Sequence, residues 1–229
     1  MAQLKKQVLG KVRGKVGDLV FRNRHETNYV SLRPIRFNAP MDDRAIARRN
    51  KFKSAVQLAS AMNSIIPLKQ SWNMYSSGTN TVYNRMVKAN FGSLENLLPS
   101  QNTLLTPGRG FGVVVQNTEL SQEQMRLSID ALGDGSGIDT QIEKNIRLAC
   151  VLCLSEPLNQ MDAQFVYLSF ISVAQNLVLN SPLDFTIALN SSEKEIFNNY
   201  GMRKLLAGLI TFDAEQQVVS FSNTIFLQQ

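Results

Sequence analysis

From residue 111 onward the chain is a succession of short apolar runs separated by turn-forming residues, and this spacing limits the fold more than any other feature. The runs lie at 111–116, 125–131, 146–154, 165–174, 184–189, 205–213 and 217–227, and the breaks include Gly133-Asp-Gly-Ser-Gly137 and Asn180-Ser-Pro182. Their lengths suit strands rather than helices, and the turn residues between them suit antiparallel connections. Over residues 108–229 the pattern predicts a mainly antiparallel β-sandwich or barrel. Residues 192–200 read as a helical turn within a long loop.

The preceding segment, 41–98, has helical periodicity. Asp42 or Asp43 can cap the first free amides of a helix. Phe52, Val56, Ala59, Met62 and Ile66 then recur at steps of three or four residues, which predicts one buried stripe, and Pro67 reads as the stop. Arg44, Arg48 and Lys51 fall on one face, with Arg49 and Lys53 beside them. A second helix is predicted over 79–90, with Val82, Met86 and Val87 inward and Arg85 and Lys88 outward. The texture changes between 98 and 110, which marks the seam to the β-rich part. The expected class is α+β: a basic N-terminal arm with a β-hairpin (1–40), a helical segment with two helices (41–98), and the β domain (108–229). With 229 residues, 44% of them hydrophobic, the chain can bury a substantial core.

The arm is set apart by glycine and charge. Gly10, Gly14 and Gly17 argue against a helix. Two β-like runs flank Asn23–Asn28 as in a hairpin, and Pro34 and Pro40 bracket an extended connector over 35–39. Residues 1–90 hold 17 Lys and Arg against 4 Asp and Glu, whereas the remainder holds 7 against 14, which together give the chain its net +6. Such polarity predicts a segment built to meet an anion, attached to a body that is itself acidic. The candidate contact residues are Lys5, Lys6, Lys11, Arg13, Lys15, Arg22, Arg24, Tyr29, Arg33, Arg36, Arg48 and Arg49. Arginine forks suit phosphates and carboxylates, and Tyr29 and Phe37 could stack on bases. Three readings stay open: DNA or RNA, ion pairs to neighbouring copies, and solvated charges on a hairpin held by its aromatics.

Other motifs point to no chemistry. Cys150 and Cys153 sit in an apolar run, and a strand would send them to opposite faces, which suits neither a redox pair nor a metal. They read as buried structural thiols. Gly108-Arg-Gly-Phe-Gly112 lacks the Lys and Ser/Thr of a phosphate loop and reads as a turn into a strand. The 133–139 loop lacks the closing glutamate of a calcium site. His25, the only histidine, stands in a basic hairpin away from any nucleophile. No catalytic residue, cofactor or metal is implied. The N-terminal stretch has no apolar core of signal-peptide length, and no window approaches a membrane span. Synthesis and folding in the cytoplasm, with no membrane partner, are therefore expected.

Several of these residues also carry a resemblance. Val8-Leu-Gly with Gly14-Lys-Val-Gly17, then Tyr29-Val with Arg33-Pro34, then Arg48-Arg49 with Phe52, resemble a family of uncharacterised (domain-of-unknown-function) proteins common in Bacteroidetes chromosomes and in phage or prophage gene sets. Trp72 and the stretch from Ser77-Gly78 to Tyr83-Asn84 and Asn90 resemble that family's continuation, so the likeness covers roughly residues 8–92. Met41-Asp-Asp-Arg44 and His25-Glu-Thr-Asn28 depart from its pattern. The phage association implies a non-enzymatic structural subunit of a phage or phage-like particle, ending in the virion or particle. Its expected partners are other copies of itself and other particle proteins, with its arm on neighbours or near packaged DNA. The alternative is a cytoplasmic DNA- or RNA-binding accessory protein.

Overall fold

The structure, a computed structural model, describes residues 2–3, 13–24, 27–33, 41–74 and 80–229. It divides into two compact units, Met1–Ile46 and Ala47–Gln229. The first contains a four-stranded antiparallel sheet in the order β1-β4-β3-β2, formed by β1 (Ala2–Gln3), β2 (Gly14–Val16), β3 (Leu19–Arg24) and β4 (Thr27–Leu32). The expected hairpin is β3–β4, paired from Leu19↔Leu32 to Arg24↔Thr27. A second hairpin precedes it: Gly17, at a φ of 55°, makes the two-residue turn between Val16 and Leu19, a geometry that other residues resist.

The second unit has three layers. Its helices are α1 (Asp43–Ser64, of which Ala47 onward belongs to this unit), α2 (Ile66–Met74) and α3 (Val82–Phe91). They cover one face of a six-stranded sheet. Its main strands are β7 (Asn145–Pro157), β8 (Phe165–Ile171), β11 (Tyr200–Phe212) and β12 (Val218–Phe221), while β9 (Gln175–Asn176) extends the β8 side of β7 and β13 (Ile225–Gln228) pairs with β11. Against the other face packs a three-stranded sheet, β10-β6-β5, of β5 (Val115–Leu120), β6 (Gln124–Ile129) and β10 (Leu183–Ala188). Among the described residues no sheet closes, so the β part is a sandwich and not a barrel. The helix α4 (Ser191–Asn198), read in the sequence as a helical turn, carries a capping box between Asn190 and Glu193.

The central sheet explains why its sequence lacks strict alternation. Ala149 and Val151 of β7 pack toward the helices with Leu206 and Ile210 of β11, while Leu148, Cys150, Leu152 and Leu154 pack toward the second sheet with Leu205 and Leu209. A strand covered on both faces reads as a continuous apolar run.

Four local expectations are corrected. The buried stripe of α1 runs through Ala55, Leu58, Ala59 and Met62 and is continued by Ile65 just past its end, while Phe52 and Ile66 are exposed. Pro67 does not simply stop a helix: α1 ends at Ser64, and Pro67 lies in the first turn of α2, where its missing N–H costs nothing. Arg85 is half-buried rather than outward, and its Nε and one Nη are buried without a hydrogen bond. The strand expected over 111–116 begins at Val115; Phe111 makes only a parallel bridge to Ser222.

Residues 98–110, where the sequence changes texture, carry irregular backbone into the interior, and side chains supply its hydrogen bonds. The Asn90 amide donates to Leu104 O (2.9 Å) and accepts from Leu104 N (2.8 Å). Trp72 Nε1 donates to Leu105 O at 2.7 Å. Thr224 Oγ1 accepts from the amides of Leu105 and Thr106. The pairing of 217–227 breaks at 222–224 because those residues serve this segment, so β12 and β13 are separate strands. Trp72 and Asn90 thus act as clamps on buried backbone that has no ladder of its own.

Candidate interaction surface

Within the first unit, cross-strand register sorts the expected contact residues. Lys15 lies opposite Val20, and Arg22 opposite Tyr29. Residues two apart share a face, so Lys15, Arg22 and Tyr29 fall on one side of the sheet. Val16, Leu19, Phe21, Val30 and Leu32 fall on the other, together with Asn23 and Asn28, whose amides bond at 2.8 Å. Lys15 and Arg22 are exposed and Tyr29 is half-buried. The apolar side is exposed too: Val16 at 67%, Leu19 at 40% and Leu32 at 74%. The sheet therefore has a cationic face bearing one aromatic ring and an apolar face that exposes Val16, Leu19 and Leu32, while Phe21 and Val30 are half-buried and Asn28 is buried.

Arg13 and Arg33 flank this sheet and are exposed, the Arg33 amide donating to Asp18 O. Arg24 pairs with Thr27 at the end of β3. Lys5, Lys6, Lys11 and Arg36 lie outside the described residues, as do His25, Phe37 and the connector 35–39. Among the described residues, Arg13, Lys15, Arg22, Arg33 and Arg48 form no ion pair.

In the second unit, Arg48 and Arg49 are exposed on the first turns of α1. They belong to a wider division of charge. Residues 47–98, which form the helical layer, hold seven Lys and Arg against one acidic residue, and residues 99–229 hold seven against thirteen. Because the helices lie on one face of the central sheet and the second sheet on the other, the polarity of the sequence becomes a polarity across this unit. Glu119 and Asp184 stand on the solvent side of the second sheet, with Arg126 opposite Glu119 on the same side.

The remaining candidates for chemistry are structural groups. Cys150 and Cys153 are free, buried and on opposite faces of β7. Burial pushes the Cys153 thiol up to about 12, opposed by the nearby Tyr167 hydroxyl and by the Lys204 charge; burial pushes Cys150 up as well. Both stay protonated and non-nucleophilic at neutral pH. Glu143 is a buried carboxylate that accepts from the hydroxyls of Thr211 and Ser220 and from the Asp139 amide at 3.0 Å. It braces the irregularity between Ile210 and Phe212 where β12 joins β11. The 133–139 loop is a single 3-10 turn, Asp134–Ser136, between glycines of positive φ. Among the described residues no group of three or more His, Cys, Asp or Glu could hold a metal, and no helix is long and apolar enough to cross a membrane.

Sequence reasoning passed over one surface. An open trough runs between α1 and β8, lined by Gln57, Ser60, Ala61 and Ser64 on the helix and by Phe165, Tyr167 and Ser169 on the strand. Ser169 Oγ crosses it to Ala61 O at 2.8 Å. The only signal in the sequence was that the run 165–174 contains no charged residue.

No family model and no curated protein matches the chain. Among solved structures, MtrC from Shewanella baltica OS185 aligns at 11% identity and a TM-score of 0.29, over 52% of this chain and 21% of that one. A β-glucosidase from Kluyveromyces marxianus, in complex with glucose, aligns at 10% identity and a TM-score of 0.24, over 56% of this chain and 16% of that one. The matched part is thus about a fifth or less of those proteins, and at such TM-scores the likeness carries no argument.

Proposed function

We propose that this chain is a non-enzymatic structural subunit of a phage or phage-like particle, which assembles through its basic arm onto neighbouring copies or near packaged DNA. The observation that carries the reading is the two-faced sheet of the arm. Its cationic face has no carboxylate partner among the described residues, and its other face leaves Val16, Leu19 and Leu32 in water. A small sheet gains independent stability by packing an apolar face against something, so this one is suited to completion by a partner. Glu119 and Asp184 on the second sheet of a neighbouring copy offer carboxylates to the cationic face, and repetition of that head-to-tail contact gives a ring or a filament. The family resemblance supports the particle context.

Light scattering of the full chain across a salt series, with and without DNA, tests this. Assemblies that form without DNA, weaken with salt and vanish in a Lys15→Glu/Arg22→Glu variant of unchanged melting temperature are expected. A monomer at low salt, with or without DNA, refutes the proposal. The second reading, a DNA- or RNA-binding accessory protein, is favoured by Tyr29 lying beside Arg22 on the cationic face. It requires affinity that falls steeply with salt as phosphates release their counterions.

A further inference from the structure

We propose that the free edge of β8 pairs with the β8 edge of a second copy, antiparallel about a twofold axis, and so joins two six-stranded sheets into one. Among the described residues β8 has a partner strand on one side only, β7. The Ser172 amide donates to Leu148 O at 2.8 Å, which fixes the alternation of the ladder. Even positions of β8 exchange hydrogen bonds with β7, and the amides and carbonyls of Phe165, Tyr167, Ser169 and Ile171 point to the open side.

Exposed edges of this kind are normally blunted by charge, proline or a bulge. β8 has none of these: its seven residues are Phe-Val-Tyr-Leu-Ser-Phe-Ile, and its register with β7 is unbroken. The other edges are short or charged. β2 carries Lys15, β5 carries Glu119, β10 carries Asp184, and β12 and β13 are four residues each. Self-pairing at those charged edges would bring like charges together, whereas β8 against β8 opposes none. The trough beside α1 leaves the edge open on the helix side.

The ends of the strand select the partner. A register centred on Leu168 sets Phe165 opposite Ile171 and Tyr167 opposite Ser169, so the outward-pointing groups of both copies meet as hydrogen-bonded pairs. Large apolar residues stand exposed just before the strand, Leu158 at 75% and Met161 at 91%, and at its far end, Ile171 at 36% and Val173 at 77%. The antiparallel register brings the far end of each copy against the near end of the other, and covers both. An uncharged edge offers nothing to a nucleic-acid backbone or to a charged peptide.

The test is sedimentation equilibrium of the full chain at tens of micromolar in about 0.5 M salt, where contacts between exposed charges are screened. A dimer is expected. Ile171→Pro removes an outward amide on each copy without touching the ladder to β7, and should raise the dissociation constant about tenfold to a hundredfold. Ile171→Lys keeps the backbone intact and should weaken the dimer as well, with circular dichroism checking that both variants fold. A high-salt monomer, or a dimer that neither variant weakens, overturns the inference. Oligomers confined to low salt and abolished by Lys15→Glu/Arg22→Glu would support the arm while overturning the β8 contact. A salt-resistant dimer untouched by those arm changes would do the reverse.

Discussion

Asn90 offers the sharpest test of how the interior is held. Its side chain is fully buried and makes both a donated and an accepted hydrogen bond with the backbone of Leu104. Asn90→Ala strips both partners at once. An orphaned buried polar group costs about 1–3 kcal/mol, and the vacated volume adds about 1 kcal/mol. Leu104 is itself half-buried. Water therefore relieves part of that penalty, and a total loss of about 2–4 kcal/mol is expected, toward the lower end of the sum. For a chain of this size each kcal/mol shifts the melting temperature by roughly 2–4 °C, so the midpoint should fall by roughly 5–15 °C. Asn90→Leu separates the causes: it fills the space but bonds nothing, and should still lose about 1.5–3 kcal/mol in urea unfolding. If Asn90→Leu unfolds within about 0.5 kcal/mol of the parent, the clamp contributes only packing and the reasoning is wrong.

Three further expectations follow from particular contacts. A Cβ at Gly110 would lie 2.4 Å from Phe221 O and from the Ser222 carbonyl carbon. Gly110→Ala should therefore cost about 2–4 kcal/mol in denaturant unfolding, and a loss under about 0.5 kcal/mol would mean that the Phe111–Ser222 bridge is not formed. The thiol of Cys153 has a folded value near 12 against an ordinary 9.0, so above pH 9 the unfolded chain gives up a proton that the folded chain keeps. Stability should then fall by about 1.4 kcal/mol per pH unit for this thiol between pH 9 and 12; a Cys153→Ala variant with an equally steep alkaline slope would refute the assignment. Glu143→Gln places an N–H group among the Thr211, Ser220 and Asp139 donors and should destabilise by about 1–3 kcal/mol, measured by thermal melting against a Glu119→Gln control on the surface.

The class of fold was legible because its signal is local: run length and turn residues identify β6, β7, β8, β10 and β11 whatever they pack against. The face of α1 was misread for a physical reason. Hydrophobicity favours Phe52 and Ile66, whereas a helix lying close on a sheet buries small residues, here Ser54, Ala55 and Ala59. The start of β5 was placed early because Val113 and Val114 look more strand-like than the polar stretch Gln116–Glu119 that forms the ladder. The basic residues of the arm were legible as a set, but their sorting onto one face with Tyr29 depends on a register that composition cannot give. The unpaired side of β8 was invisible for the same reason: which strand stands at an edge is decided by pairings more than 50 residues apart, such as Leu152 with Leu205.

That separation also governs how the chain comes to be folded as it is made. The apolar stripe of α1 finds its cover on β7 and β11, and β11 ends at Phe212. At a synthesis rate of about 5–20 residues per second, roughly 6–25 s pass between completion of α3 and completion of β11. Over that interval Leu58, Met62 and Trp72 of the nascent helices lack the complete sheet that buries them, since β7 is finished at Pro157 while its neighbour β11 is still to come. The dense Lys and Arg on their other side give this waiting intermediate a repulsive charge, which discourages neighbouring nascent chains from associating through the uncovered stripe.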